Sequence, residues 1–363
     1  MLIQAEPLKR LASAILKKGG SNNDEADVVA DHLVRANLAG HESHGVGMLP
    51  KYVEKIQGEL LFPNQKPEMV KADGSIMMFD GKRGYGQAIG KMVMKQAIIK
   101  CRETGLVLMT LRNSHHLGRI GTYGEQSIDA GLVSLHFVNV TDHLPYVAPF
   151  RGSDGRFATN PICLAMPGTQ KQPPVLLDMA TSRIPLGKAR VAINKKEALK
   201  DGLVIDHKGK PSNDPGIVAG YLFPEREDNP PLGALTPLGE YKGYGLALFC
   251  ELFGGMLSGG GTIQPKNPRY NGIINNMFTL LIDPAKLVDL PWMHDEIEAI
   301  VSHSKASPPA NPKEPVLVAG DPERISQKER QIHGIPIDDT TWEQILLGGE
   351  TLGLSRLEME NMI

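Results

Sequence analysis

An α/β fold, with a central sheet flanked by helical segments from both chain ends, is what this sequence predicts, and three observations predict it. Between residues 66 and 168, short apolar runs (SIMMFDG, GLVLMTLRN and GLVSLHFVNV) alternate with helical patterns over 87–102 and 119–130. Strands alternating with helices mark a layered α/β domain. The first fifty residues repeat apolar side chains at helical spacing, and the stretch after Pro336 does the same. At 363 residues the chain exceeds the roughly 250–300 at which a single core stops growing, so two or three sub-domains are expected.

Each element has its own warrant. MLIQAEPLKRLASAILKKGG reads as an amphipathic helix, without the apolar h-region and small-residue cleavage site of a signal peptide. Ser21 and the acidic SNNDEADVV run predict a cap for a helix through Val28, Val29, Leu33, Val34 and Leu38. That helix ends near Gly40, where AGHESHGVGMLP interrupts regular structure with glycines and Pro50, and residues 51–58 form another short helix. After the alternating region come a strand in PPVLLDMATS, a polar, proline-bearing insertion over about 193–230, and a long apolar helix in YGLALFCELFGGMLSGG. A strand in MFTLLIDP, a helix over 290–308 and a strand and turn in PVLVAGDPE complete the order. The expected division is an N-terminal helical segment 1–65, a central α/β domain 66–325, and a C-terminal helical segment 326–363 packing on the first.

Composition excludes several classes. A net charge of −2 with scattered Lys and Arg lacks the basic stripe that nucleic-acid binding needs. No run approaches the roughly 18 apolar residues of a membrane span. Cys101, Cys163 and Cys250 lie far apart without ligand spacing, which suits buried thiols in a reduced, cytoplasmic chain. An acidic small molecule would have to be held by a few local cations.

Histidines cluster in GHESHG (His41, His44) and NSHHLGRIG (His115, His116). Zinc sites need three or four suitably placed ligands, and no HExxH-type motif is present. Two pairs in glycine-flanked turns suit acid/base chemistry, because an imidazole takes and returns protons near neutrality. The plainer reading of any one of them is a packing residue. GYGQAIG at 84–90 follows a strand-like run and opens a helix, as a dinucleotide-binding turn would. Its spacing is a variant, and such turns arise for steric reasons alone. RFATNP, LLDMATS and EYKGYG put small or amide residues beside strand or helix starts, where free N–H groups can cradle phosphates and where ordinary caps also occur.

Together and in this order, SHGVGMLPKYV, NSHHLGRIG, APFRGSDGRFATNP, LLDMATSRIPLGKAR, KGYGLALFCELFGGMLSGG and GDPERISQKERQIHGIP resemble the type 2 malate/L-lactate dehydrogenase family over residues 1 to about 345. The SHGxGM and NSHHxGRIG forms are similar to its bacterial hydroxycarboxylate dehydrogenase branch. The resemblance implies a mixed, largely antiparallel sheet of non-Rossmann type carrying NAD (NADP being possible) in an extended groove. It also implies a cytoplasmic homodimer that acts on small 2-hydroxy or 2-keto acids, with no nucleic-acid or membrane partner and no metal.

By the same resemblance, His116 and His44 are the acid/base candidates, in that order. Ser43, Met48, Arg119, Asn160 and Thr159 are substrate or nicotinamide partners. Gly118, Arg119, Ile120, Leu176, Leu177, Asp178, Met179, Ala180, Tyr241, Asn275 and the turn Gly320, Asp321, Pro322, Glu323 form the cofactor wall, with His44 beside it. Many members carry Arg where this chain has Met48, and often His where it has Tyr241. One branch has a lysine where it reads Thr141-Asp142-His143. Without an arginine at 48, Arg119 is the nearest carboxylate clamp in sequence. Reduction of a cyclic imine acid or a keto sugar acid uses the same hydride chemistry and is the alternative activity. A non-catalytic ligand-binding protein is the alternative of another class.

Overall fold

The computed structural model describes residues 1–219 and 232–363. Helices α1 (Ala5–Lys18) and α2 (Asn23–Leu38) pack on one another, and α3 (Leu49–Gln57) follows two short 3₁₀ turns. The cap of α2 is Asn22, whose side chain accepts from Glu25 N at 2.9 Å, while the Ser21 hydroxyl donates to the Glu25 carboxylate at 2.7 Å. The cap therefore sits one residue after Ser21.

The main sheet is built from β1 (Glu68–Asp73), β2 (Ile76–Asp80), β3 (Leu106–His115), β4 (Val133–Thr141), β5 (Ile162–Met166), β6 (Val175–Met179) and β7 (Ile274–Ile282). Its order is β1-β2-β3-β7-β4-β5-β6, and every pairing is antiparallel except β2 with β3. The sheet is thus mixed and largely antiparallel, as expected. Helices α4 (Gly86–Thr104) and α5 (Gly121–Asp129) cover the apolar face formed by Phe79, Val107, Met109, Leu111, Met277 and Leu281.

The single parallel pair encloses the GYGQAIG run, and its glycines have a packing role. A Cβ on Gly86 would overlap the backbone oxygens of both His115 and His116. The start of α4 is therefore sealed against the end of β3, where a phosphate would otherwise have to sit. Residues 186–195 form α6 (Leu186–Lys195), and the expected insertion follows. Its described part pairs Val204–Ile205 with Pro211–Ser212 and Ala234–Leu235, over a small core of Val147, Ile184, Ile217 and Leu235. Residues 220–230 of that insertion lie outside the described residues.

Helix α7 (Tyr241–Cys250) runs on into a π-helical turn, Glu251–Met256. Next come α8 (Leu290–Lys305), α9 (Asp321–His333), α10 (Asp339–Thr351) and α11 (Arg356–Glu360). The strand expected in PVLV does not form. One backbone bond, Leu176 N to Ala319 O at 3.2 Å, joins that stretch to the edge strand β6. GDPE instead opens α9, with Pro322 in its first turn, where a missing N–H costs nothing. Both chain ends share one core: Leu8, Leu11, Ile15, Leu33 and Tyr52 pack with Ile345, Leu346 and Met359. The three cysteines are buried and unpaired.

Candidate active site

The NSHHLGRIG segment is shaped by two asparagines of β7. The β3–β7 register slips between Asn275 and Met277, and Asn113 sits at φ 52°, so β3 bulges just before its histidines. Asn276 Oδ1 accepts from Asn113 N, and Asn275 Oδ1 from Leu117 N, both at 2.8 Å. Gly118 then turns at φ 75° over His32 of α2, whose ring leaves no room for a Cβ. His32 Nε2 accepts from Arg119 N at 2.9 Å. The bulge and turn leave His115 fully buried and bring His116 to the edge of a cavity.

The SHG turn meets it there. His44 Nδ1 lies 3.2 Å from His116 Nε2, and His116 Nδ1 lies 2.8 Å from the Tyr52 hydroxyl of α3. Tyr52 Oη in turn accepts from Gln87 Nε2 of α4 at 2.6 Å. Donor counting orders the protons. Tyr52 accepts from Gln87 and gives its own hydrogen to His116 Nδ1. His116 gives its Nε2 hydrogen to His44 Nδ1, leaving His44 Nε2–H as the free end. Among the described residues, Gln87 Oε1 is buried without a hydrogen-bond partner. Turning that amide over would let Oε1 accept from Tyr52, reverse every bond in the chain and present His44 Nε2 as an acceptor.

Electrostatics keep the pair neutral. Burial pulls His44 down to about 4, opposed by the Asp178 charge and assisted by His41 and Arg119. Burial also holds His116 well below the usual imidazole value, with charge on His44 and His115 adding to the effect. The Tyr52 hydroxyl is pushed up by burial, against its bond from Gln87, so it stays protonated.

The histidines open on a cavity of about 760 Å³. Of the residues expected at the site, Ser43, His44, Met48, His116, Gly118, Ile120, Thr159 and Asn275 line it. Leu144, Tyr146, Leu186 and Ile273 give it an apolar wall, and Lys51, Lys55, Arg190 and Arg269 supply cations. Three of the expected residues stand off this cavity. Arg119 is only 2% exposed and locked away, with Nη1 2.6 Å from Glu125 and Nε 3.8 Å from Asp178, so it cannot clamp substrate. Asn160 is fully buried, and its amide donates to Ala247 O at 3.2 Å and Glu251 at 2.8 Å, tying β5 to α7. Tyr241 is 60% exposed, edge-on to Phe150 and off the cavity.

The other expected cofactor residues do not line this cavity. Asp178 accepts from Gly121 N at 2.7 Å and so caps α5; on β6 Leu176 is buried, Leu177 exposed and Met179 half-buried, and Ala180 just after it is half-buried. Gly320 is the left-handed start of α9, Asp321 is held by Lys305 at 2.8 Å and Arg324 at 2.7 Å, and Glu323 bonds His41 at 3.2 Å. Among the described residues, Glu323 Oε2, Arg119 Nε and Thr122 Oγ1 are buried there without hydrogen-bond partners, as is Asn275 Nδ2 at the cavity. Among the described residues, no three His, Cys, Asp or Glu side chains are grouped as metal ligands.

Sequence reasoning gave no role to Tyr52, Gln87, His32 or Arg190. Tyr52 stands four residues after Met48 on one helical face, which was a usable signal. Gln87 was hidden inside a run read for its glycines.

A paired-histidine relay over an apolar cavity with nearby cations, on a largely antiparallel sheet, defines an acid/base enzyme for small molecules. Residues 3–346 match the malate/L-lactate dehydrogenase family model. An L-lactate dehydrogenase of Cupriavidus necator is 41% identical over 91% of this chain and 92% of its own length. Hydroxycarboxylate dehydrogenase B of Escherichia coli is 40% identical over 96% and 94% respectively. A solved Escherichia coli structure assigned as a malate/lactate dehydrogenase aligns with TM-score 0.92 and 38% identity, covering 100% of this chain and 98% of that one. The chain belongs to the malate/L-lactate dehydrogenase family, whose members are pyridine-nucleotide hydroxy-acid dehydrogenases.

Proposed function

We propose that the chain interconverts small 2-hydroxy acids and 2-keto acids with NAD(P), and that His44 Nε2 exchanges the proton with the substrate oxygen. The observation that carries this reading is the His44–His116–Tyr52–Gln87 chain ending on the cavity. Both ring nitrogens of His116 are engaged in it, so the free nitrogen belongs to His44, and the order expected from the resemblance is exchanged.

The unpartnered groups fit a nicotinamide nucleotide. Asn275 Nδ2 suits a carboxamide oxygen, and Glu323 Oε2 suits a ribose hydroxyl. Asn275, Gly118 and Ile120 would hold the ring end, with Asp178 and the Gly320–Glu323 turn behind. When bound, the nicotinamide supplies or accepts the hydride at the carbinol carbon. The chain's own residues do the rest. In oxidation, neutral His44 takes the hydroxyl proton at Nε2 while His116 accepts from its Nδ1 and keeps the ring in place. In reduction the step runs in reverse: a His44 ring that has first taken up a proton, and that donates its Nδ1–H to His116, gives its Nε2 proton to the forming alkoxide and returns to the neutral ring. The apolar wall of Met48, Leu144 and Ile273 excludes water and accommodates an aliphatic or aromatic tail.

A cytoplasmic homodimer is part of the proposal. Supporting the dimer, Leu248, Phe249, Met256 and Leu257 of α7 and its π-helical turn remain exposed in a single copy. Absorbance at 340 nm, with NADH and NADPH offered against a panel of 2-keto acids and no added metal, tests the activity. Turnover is expected, better with bulkier monocarboxylates than with oxaloacetate. No oxidation of either coenzyme with any 2-keto acid would overturn the reading. Sedimentation at micromolar concentration tests the dimer.

A further inference from the structure

Helix α6 docks on the segment that carries His44. A Cβ on Gly187 would stand 2.6 Å from the Ser43 Cβ, so the helix approaches that turn at van der Waals limits. Arg190 follows three residues later on the same helical face. Its guanidinium reaches the next stretch of the segment: a Cβ on Gly47 would stand 3.3 Å from Arg190 Nη2. Arg190 therefore lines the same cavity as Ser43, His44 and Met48.

The other cations of that cavity are engaged. Lys51 and Lys55 both bind Glu54, at 2.6 and 2.7 Å, and Arg269 donates to Ile263 O at 2.5 Å. Among the described residues, Arg190 Nε is buried without a hydrogen-bond partner. Burial pulls the Arg190 guanidinium down from its usual value, and the charge opposing this is that of Asp338. The Asp338 carboxylate is already accepting from Thr341 N at 2.8 Å and from the Thr341 hydroxyl at 2.7 Å, capping α10. A guanidinium carries five donors in a planar fork, and its complement is a two-oxygen anion. Left without one in a half-buried cavity, it is costly to keep.

We infer that Arg190 is the clamp for the substrate carboxylate: its fork holds the two oxygens in the cavity that His44 faces, and it selects 2-keto and 2-hydroxy acids over their uncharged analogues. The inference rests on the reaction proposed above. It assigns to α6 a task that Met48 cannot perform and that Arg119 is not free to perform.

The test is Arg190→Gln beside Arg190→Lys, assayed with a 2-keto acid and its methyl ester. For the acid, Arg190→Gln should raise KM by ~10²-fold, the usual cost of removing one partner of a buried charge pair. KM for the ester should change less than about threefold, and Arg190→Lys should recover part of the loss. Equal losses for acid and ester, or an unchanged KM for the acid, would overturn the clamp. Asp338→Asn, which keeps a capping side chain, should leave the acid-to-ester ratio unchanged. A collapse of that ratio would make Arg190 a partner of Asp338 instead. Calorimetric titration with oxamate separates the two proposals. If wild type turns over no 2-keto acid yet binds oxamate and Arg190→Gln does not, the clamp stands and the reaction falls. If wild type does not bind oxamate, the clamp falls.

Discussion

In the proposed reaction His44 and His116 split one task between two rings, and their neighbours decide which ring meets substrate. His116 is bonded on both nitrogens, so its replacement should act through position, whereas His44 should act directly. His44→Asn should lower kcat by ~10²–10⁴-fold, the usual worth of a positioned proton-transfer group. His116→Asn should cost about tenfold less and leave NADH affinity unchanged. A larger loss at His116 than at His44, by steady-state kinetics, would return the proton to His116. The depressed value of His44 fixes a pH dependence as well. Oxidation needs the neutral base, and His44 is neutral above about 4. In the free enzyme kcat/KM for a hydroxy acid should therefore stay level from pH 8 to 5, provided circular dichroism shows the chain folded. An inflexion near 6.5 would mean that the working base is not a His44 with a lowered value. Both rings were legible in the sequence because they sit in glycine-flanked pairs. The placement of Arg119 and Asn160 was not legible, because sequence does not report an existing partner. Glu125, Asp178 and Glu251 had claimed those side chains, and only the folded chain brings them together.

Among the elements, those with a strong local period were the readable ones. The helices at 23–38, 86–104 and 121–129 and the strands at 106–115 and 133–141 stand close to where hydrophobic spacing puts them. PVLV was misread because a short apolar run reads alike whether it pairs or merely packs: Val318 covers Met293 and Val301 of α8. The GYGQAIG run was the sharpest ambiguity, since a dinucleotide turn and a packing turn share its glycines. The contact of Gly86 with the His115 and His116 oxygens decides for packing. Gly86→Ala should lower the melting temperature by an amount corresponding to about 1–3 kcal/mol, the usual cost of overpacking. NADH affinity of the folded fraction should be unaffected. A large rise in Kd for NADH with the melting temperature intact would make this turn a cofactor site after all. Because Gly86 bears on the backbone of His116, kcat should fall together with stability.

At the scale of the whole molecule, topology was the least readable property. Strand β7 enters between β3 and β4 more than a hundred residues after β4 ends, and no local pattern announces so distant a pairing. That insertion carries Asn275 and Asn276 to the histidine turn and closes the core around buried imidazoles. The result is a fold with a built-in sensitivity to acid. His32, His115 and His136 are pulled down to about 3, His44 to about 4, and His116 well below the usual value, in each case chiefly by burial. A histidine whose folded pKa is depressed stays neutral in the native state, while the unfolded chain takes up a proton below about 6.5. Its contribution to stability is complete above that pH and is lost as pH falls toward the folded value. Each such ring steepens the loss by up to ~1.4 kcal/mol per pH unit, so five acting together would exhaust a typical stability of ~5–15 kcal/mol within one or two units. Glu25 and Glu251, raised by burial, work in the opposite sense, but they are two groups and begin nearer the usual carboxylate range. Denaturant unfolding at pH 8, 7, 6 and 5 should therefore show stability level from 8 to 7, then falling steeply below 6.5, with cooperative loss of structure above pH 4. Equal stability at pH 7 and 5 would mean that these imidazoles charge inside the folded protein, and the neutral relay from Gln87 to His44 could not then hold as drawn.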